Sequence, residues 1–282
     1  MPERVVQVGD LELWTEDFGD PSDPTILLNA GGGAPGIIWS EAFCRDLASA
    51  GRRVIRYDYR DTGLSSTVDF EVSPYTISDL TADAVGVLDA YDVQAAHFVG
   101  LSLGGQVVQT AGLEHPDRVA SITSISSTPL RGSVQSGDGE LSGISQHFQE
   151  ASAAMLTASD EEEERVDRFL DFMKAGGITE PFDEAELRSF AKRAFARTKE
   201  RGGGVKHVMA QVATPECREE LGRIAAPTLV IHGANDRCIS VAHGQATKDA
   251  IPGARLLVIE RMGHIPRPEP KEMLAAIIEH SA

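Results

Sequence analysis

Cysteine, positive charge and long apolar runs are all scarce in this sequence. Three cysteines occur in 282 residues, and they lie far apart at Cys44, Cys217 and Cys238. They form neither a C-x-x-C pair nor the even set of a disulfide framework, so a reducing cytoplasm is the expected location. No apolar run approaches the ~20 residues that cross a bilayer, and the N-terminal residues lack a signal-peptide pattern.

The shortage of basic residues limits the possible partners. Lys and Arg together number 26 against 43 Asp and Glu, which gives a formal charge of −17. Binding to nucleic acid or to anionic lipid requires clustered Lys and Arg, so we expect no nucleic-acid partner and no membrane partner. A neutral or cationic small molecule fits the charge better. With 41% hydrophobic and 24% charged residues, the composition is typical of a globular chain and excludes a disordered one.

Short apolar runs alternate with helical patterns along most of the chain. Runs rich in β-branched and aromatic residues predict strands over 11–18, 25–28, 54–57, 97–99, 119–125, 227–231 and 254–259. Apolar residues at i, i+3 and i+4 spacing predict helices over 77–88, 103–113 and 271–278. This alternation indicates an α/β fold, with a doubly wound, mostly parallel sheet and helices on both of its faces.

The alternation stops between residues 131 and 216, where the pattern is helical and predicts no strand. The helices expected there are 144–155, 160–174 and 183–197. The glycines 202–204 then interrupt the pattern. We interpret 131–216 as a helical cap inserted after the strand 119–125, and the α/β core then consists of 1–130 and 217–282.

One short motif contains a candidate nucleophile. Gly100-Leu101-Ser102-Leu103-Gly104 fits G-x-S-x-G and lies between a predicted strand and a predicted helix. This is the setting of a nucleophile elbow, a sharp turn that presents a serine at the start of a helix. Its glycines allow neighbouring backbone to approach closely. A simple Gly-Ser turn is the alternative, and the flanking elements favour the nucleophile.

A serine nucleophile needs a base, and the base needs a group that orients it. His264 follows the last predicted strand and Asp236 follows the strand 227–231, so both fall at the sheet edge where an open α/β sheet forms its crevice. The order Ser102, Asp236, His264 also fits this chemistry. Of the other histidines, His115 belongs to a turn, and His97 and His232 are packing positions. His243 and His280 are assigned to helix surfaces. His147 and His207 lie in the cap, where either could touch substrate.

The negative oxygen of an acyl-transfer intermediate needs fixed hydrogen-bond donors. The backbone N–H of Leu103, directly after the serine, is one candidate. The loop 29–33, Asn-Ala-Gly-Gly-Gly, supplies a second. Gly32 is preferred there, with Gly31 and Gly33 as alternatives. A phosphate site is disfavoured because the loop lacks both the Lys-Ser/Thr of a P-loop and the G-x-G-x-x-G spacing. No metal site is predicted.

Together these residues resemble the α/β-hydrolase family over nearly the whole chain. Tyr57–Ser65 resembles the turn after the family's fourth strand, and His115–Val119 is a further hallmark. The sequence departs from the family twice. Asn29-Ala30-Gly31 replaces the usual His-Gly after the third strand, and Asp61 stands where glycine is common. The first departure concerns the oxyanion donor, and we expect the second to change only a loop.

More narrowly, the chain resembles the aclacinomycin methylesterase group, which removes a methyl ester from a polyketide in anthracycline tailoring. Residues 9–14, 18–21, 60–63 and 100–102 contain this similarity. It implies a serine esterase whose helical cap covers a pocket for a flat, polycyclic ester. Apolar residues at helical spacing usually belong to a core, but some should line this pocket. The candidates for substrate contact are Trp39, Phe148, Met155, Phe172, Met173 and Met209.

Hydrolysis of a carboxylic ester of a small, mainly apolar molecule is the leading hypothesis. The reaction would pass through an acyl-enzyme, require no cofactor and be performed by a monomer or homodimer. C–C bond hydrolysis, lactone opening and peracid formation use the same triad and stay open as alternatives. Epoxide and haloalkane hydrolysis are disfavoured because such enzymes place Asp where Ser102 stands. A ligand-binding protein without turnover is the alternative from another class, and three intact triad residues argue against it.

Overall fold

One eight-stranded sheet organises the part of the chain that the computed structural model describes, residues 3–129, 141–159, 161–215 and 217–282. The strands are β1 (Arg4–Val8), β2 (Leu11–Phe18), β3 (Thr25–Asn29), β4 (Arg53–Tyr57), β5 (Ala96–Leu101), β6 (Val119–Ile125), β7 (Thr228–Gly233) and β8 (Arg255–Ile259). The helices are α1 (Glu41–Ser49), α2 (Ile77–Ala90), α3 (Leu103–Glu114), α4 (Gln146–Leu156), α5 (Glu162–Gly176), α6 (Glu184–Arg197), α7 (Gly203–Ala213), α8 (Val241–Ala250) and α9 (Lys271–His280).

The strands lie in the order β1-β2-β4-β3-β5-β6-β7-β8. β2 pairs antiparallel with β1 and β4, and all other neighbouring strands are parallel. The carboxyl ends of the parallel strands therefore meet at one edge of the sheet, where α/β folds form their crevice. Every residue of β3, β4 and β7 is buried, as expected for a parallel sheet with helices on both faces. The predicted fold class is confirmed.

Every predicted element agrees with the observed one to within two residues at each end. The patterns did not predict β1, α1, α7 or α8. In the described part of the chain, the α-helices between β6 and β7 are α4–α7. The predicted cap boundaries stay predictions, because residues 130, 131 and 216 lie outside the described part. Among the described helices, none has both the length and the apolar character needed to cross a bilayer.

The glycines 202–204, interpreted as an interruption, begin a helix instead. Gly202 adopts φ 103° at the N-cap of α7, and Gly203 is the first helical residue. A Cβ on Gly203 would overlap the carbonyl oxygen of Asp61, so the start of α7 packs directly on backbone. Lys206 reinforces this contact, because its Nζ lies 2.8 Å from Oδ1 of Asp61 and 2.7 Å from the carbonyl oxygen of Val68.

Asp61, the second departure from the family, has a left-handed backbone with φ 65°. Glycine adopts this conformation without strain, and Asp is among the few other residues that tolerate it. The carboxylate compensates for the strain, since it accepts hydrogen bonds from the N–H of Val68 and the hydroxyl of Tyr75, each at 2.8 Å. The substitution therefore fixes the loop and connects it to α7.

The Gly203→Ala substitution should destabilise the protein. The added methyl group meets backbone that cannot move without displacing α7, and overpacking of this kind costs about 1–3 kcal/mol. Urea unfolding should show that loss in the free energy of unfolding. Gly222→Ala is the matched control, because a Cβ there has nothing within 4 Å, and it should change stability by less than ~0.5 kcal/mol. Equal stability of the two variants would contradict the packing assigned to α7.

Candidate active site

Ser102 lies at the tip of a sharp turn between β5 and α3. Its backbone adopts φ 54° and ψ −115°, which non-glycine residues rarely do. The N–H of Ser102 donates to the carbonyl of Ile125 at 2.8 Å, and the hydroxyl of Ser127 donates to the carbonyl of Ser102 at 2.7 Å. A Cβ on Gly104 would lie 2.6 Å from the carbonyl oxygen of Ala30, so glycine is required for this close approach. The sequence thus folds locally into an elbow that presents the serine.

His264 reaches the serine from the loop after β8. Its Nε2 lies 3.1 Å from Oγ of Ser102. The end of α5 holds the loops after β7 and β8. The carbonyl of Gly176 accepts hydrogen bonds from the N–H of His264 at 3.2 Å and from the N–H of Arg237 at 3.0 Å. His264 is only 6% exposed, whereas Ser102 is partly exposed. The imidazole is therefore shielded while the hydroxyl stays accessible.

Asp236 binds the other side of the imidazole. Its Oδ2 lies 2.9 Å from Nδ1 of His264 and 3.2 Å from Nε2 of His232. Its Oδ1 accepts the backbone N–H groups of Cys238 and Ile239, each at 2.9 Å. Burial alone would raise the pKa of this carboxyl, but the neighbouring histidines hold it below the ordinary value. The group is therefore an ionised carboxylate in a buried position.

The charge of Asp236 also acts on His264. Burial alone would lower the pKa of the imidazole, but the carboxylate beside it raises that pKa well above 6.5. With Nδ1–H donating to Asp236, Nε2 is left to accept the proton of Ser102. The three side chains can therefore move a proton from serine to histidine, which is the requirement for nucleophilic acyl transfer.

The glycine loop after β3 forms a tight turn beside the nucleophile. The N–H of Ala34 donates to the carbonyl of Gly31 at 3.1 Å, and Gly33 occupies the left-handed position with φ 72°. The N–H of Gly33 donates to Nδ1 of His207 at 3.0 Å. Because this donor is already engaged, the geometry favours Gly32 or Gly31 as the donor to an oxyanion.

The turn places Gly32 against the residue that follows the serine. A Cβ on Gly32 would lie 3.7 Å from Cβ of Leu103. Leu103 is the first residue of α3, so its N–H has no acceptor within the helix. The two backbone groups proposed as oxyanion donors thus belong to neighbouring residues.

Asn29, the first departure from the family, has a structural role because its side chain forms hydrogen bonds inside the sheet. Its Nδ2 donates to the carbonyl of Val99 at 3.2 Å, and its Oδ1 accepts the hydroxyl of Tyr57 at 2.8 Å. The fully buried side chain thereby connects the start of the glycine loop to β5 and β4. Its amide is engaged inside the sheet and is therefore not available to an oxyanion.

Three histidines have contacts or burial that the sequence did not predict. His232 is buried as predicted, but its Nε2 also contacts Asp236, and the i, i+4 spacing of the two was the available signal. His207 bonds to the glycine loop and to the carbonyl of Arg60, a contact with no sequence signal. The assignment of His243 to a helix surface is wrong, because its side chain is buried.

Two of the six candidate substrate contacts form an aromatic pair, and one member of the pair lies beside the base. The rings of Phe148 and Phe172 are 4.8 Å apart between centroids, and that of Phe148 is 6.0 Å from the imidazole of His264. Both phenylalanines are half-buried and come from α4 and α5. They form an apolar surface next to the reactive groups.

The other four candidates lie in different environments. Trp39 and Met173 are each 1% exposed and belong to the hydrophobic core. Met155 is half-buried on α4, while Met209 is 42% exposed on α7. Their contact with substrate stays a prediction.

Residues 24–269 match the family model of the α/β hydrolase fold. The chain belongs to the α/β-hydrolase family. Rhodomycin D methylesterase DauP of Streptomyces sp. (strain C5) is 34% identical over 293 residues, which span 100% of this chain and 98% of the relative. DnrP, the enzyme of the same name in Streptomyces peucetius, is 33% identical with the same coverage. The predicted family and the resemblance to methylesterases are confirmed.

A solved structure supports the same assignment. A hydrolase from Pseudomonas aeruginosa PA01 is 28% identical and matches with a TM-score of 0.75. The match covers 99% of this chain and 97% of that hydrolase. The described sheet, elbow and inserted helices thus belong to an α/β hydrolase throughout.

The kcat/KM of this α/β hydrolase should decrease as the pH is lowered, and the midpoint of this decrease should lie above pH 6.5. The pKa of His264 is raised, and a protonated imidazole cannot accept the serine proton, so activity is present above that pKa and lost below it. A pH series with a neutral p-nitrophenyl ester measures the position. Asp236→Asn removes the charge that raises the pKa of His264. The midpoint for the weak residual activity of this variant should therefore lie at a lower pH than that of the wild type. An acid limb at or below 6.5 in the wild type would contradict the coupling.

Proposed function

We propose that this α/β hydrolase is a serine methylesterase that hydrolyses the methyl ester of a flat, mainly apolar polyketide. The observation on which the proposal depends is the continuous contact from Ser102 to His264 at 3.1 Å and from His264 to Asp236 at 2.9 Å. The names of the two full-length relatives support the substrate class. The aromatic pair Phe148–Phe172 beside the imidazole offers a flat substrate an apolar surface.

The first half of the reaction forms an acyl-enzyme. His264 takes the proton of Ser102 at Nε2 while Oγ attacks the ester carbonyl carbon. The N–H groups of Leu103 and Gly32 bind the resulting oxyanion. When the bond to the methoxy oxygen breaks, His264 donates its proton to that oxygen and methanol leaves. Asp236 fixes the imidazole tautomer and stabilises the imidazolium.

The second half releases the acid. His264 removes a proton from water, and the hydroxide attacks the acyl carbon. The bond to Oγ breaks, and His264 returns the proton to Ser102. These steps need no cofactor, and their reactants are the small-molecule ester and water. We place the enzyme in the cytoplasm as a monomer or homodimer.

Replacement of Ser102 by Ala should abolish ester hydrolysis, with kcat falling about 10⁴-fold or more. Release of p-nitrophenol from short acyl esters gives the rate. Ser189→Ala on the exposed surface of α6 is the matched control and should retain full activity. An organophosphate should add mass at Ser102 in the wild type, and labelling at another residue would overturn the assignment of the nucleophile.

The substrate class is tested by a panel of methyl esters of polycyclic polyketides, short lipid esters and lactones. We expect the highest kcat/KM for the polycyclic methyl esters, with methanol and the free acid as products in equal amounts. Phe148→Ala should lower kcat/KM for a polycyclic ester by about tenfold, because it removes apolar contact area, and should affect a short acyl ester less. A preference for lactones over all methyl esters would reject methylesterase activity while retaining the triad.

A further inference from the structure

His207 connects two loops that lie far from it in the sequence. The residue is fully buried on α7, 174 positions from Gly33. Its Nδ1 lies 3.0 Å from the backbone nitrogen of Gly33, and its Nε2 lies 3.0 Å from the carbonyl oxygen of Arg60. A carbonyl can only accept and a backbone N–H can only donate, so the proton must be on Nε2. The imidazole therefore accepts at one nitrogen and donates at the other.

The ring is neutral, which these two bonds require. Burial lowers the pKa of His207 to about 4, although the carbonyl of Arg60 favours the charged form. A protonated ring would present a donor to the N–H of Gly33 and lose that bond. At neutral pH the acceptor is thus available to the glycine loop.

The glycine loop needs an external contact to hold its shape. Three successive glycines have large conformational freedom in the unfolded chain and no side chains with which to pack. The turn bonds Ala34 to Gly31, while the N–H of Gly33 is fixed by His207. This bond orients the peptide unit between Gly32 and Gly33, directly beside the N–H of Gly32.

The helix that presents His207 is itself firmly placed. Gly204 is so close to the glycine loop that a Cβ on Gly33 would lie 2.7 Å from Cα of Gly204. The rings of Tyr59 and Tyr75 contact the imidazole edge to face, at 5.7 and 6.3 Å between centroids. The imidazole is therefore held by packing as well as by its two hydrogen bonds.

We propose that His207 is a positioning residue for the oxyanion hole. It holds the glycine loop so that the N–H of Gly32 points at the oxyanion that forms on the substrate. It does not touch the reacting atoms. This inference rests on the proposed function, since the oxyanion arises in the acyl transfer begun by Ser102. Through His207, a helix inserted after β6 contributes to the rate of the chemical step.

Three substitutions separate the two bonds of the imidazole. His207→Asn keeps an acceptor near Nδ1 for the N–H of Gly33, and His207→Gln keeps a donor near Nε2 for Arg60. His207→Leu removes both at similar size. We expect kcat close to the wild-type value for the Asn variant and about 10- to 100-fold lower for the Gln and Leu variants, with KM within about twofold. The readout is p-nitrophenyl ester hydrolysis, with active enzyme titrated by an organophosphate.

A transition-state analogue provides a second readout. A trifluoromethyl ketone forms a hemiketal oxyanion with the serine, so its inhibition constant should rise in the Gln and Leu variants in the same proportion as kcat falls. His243→Leu is the matched control, since His243 is a buried histidine bonded at both ring nitrogens that does not belong to the catalytic set. It should leave kcat and the inhibition constant unchanged. If the Leu variant of His207 does not fold, the Asn and Gln variants decide the question.

Equal kcat in the Asn and Gln variants would overturn the inference, because only one of them keeps the bond to Gly33. A change in KM without a change in kcat would also overturn it. Hydrolysis that survives Ser102→Ala would overturn the proposed function and this inference with it. If hydrolysis depends on Ser102 but the Gln and Leu variants of His207 keep the wild-type kcat, this inference is overturned and the proposed function is not.

Discussion

The hydrogen bond between Asp236 and His264 is the interaction on which the active site depends. A buried carboxylate is stable only when its oxygens are fully bonded, and removing one partner of a buried charge pair costs about 3–5 kcal/mol. Asp236 meets this requirement with four donors, two imidazoles and two backbone N–H groups. The same charge sets the orientation and basicity of His264, which in turn gives Ser102 its reactivity. The loops after β5, β7 and β8 must therefore meet at one edge of the sheet.

Much of this arrangement could be predicted from the sequence because its signals are local. The alternation of strands and helices depends on side chains a few residues apart, and the elbow at Ser102 is a motif of five residues. The proximity of Ser102, Asp236 and His264 then follows from strand ends that a parallel sheet brings together. The weaker elements were missed for an equally local reason, since β1 has a mostly exposed pattern and α7 begins with glycines that discourage a helical prediction.

The remaining parts of the site depend on contacts that no spacing reveals. His207 acts on a glycine 174 positions earlier, and nothing in its own neighbourhood indicates that partner. The two departures from the family are similar cases. Asn29 and Asp61 differ from the usual residues, yet each side chain bonds to neighbouring elements in a way that fixes its loop. Their roles depend on three-dimensional partners, so the sequence could only mark them as unusual.

The contrast between α4 and α7 has a consequence for recombination between relatives. No residue of α4 is buried, so its sequence can diverge with little effect on the rest of the molecule. Helix α7 starts in backbone contact with the core and places a buried imidazole against the glycine loop. A chimera that exchanges the region of α4 would alter which molecules are accepted. A chimera that exchanges α7 would need a compatible glycine loop from the same parent, so the two segments should be inherited together.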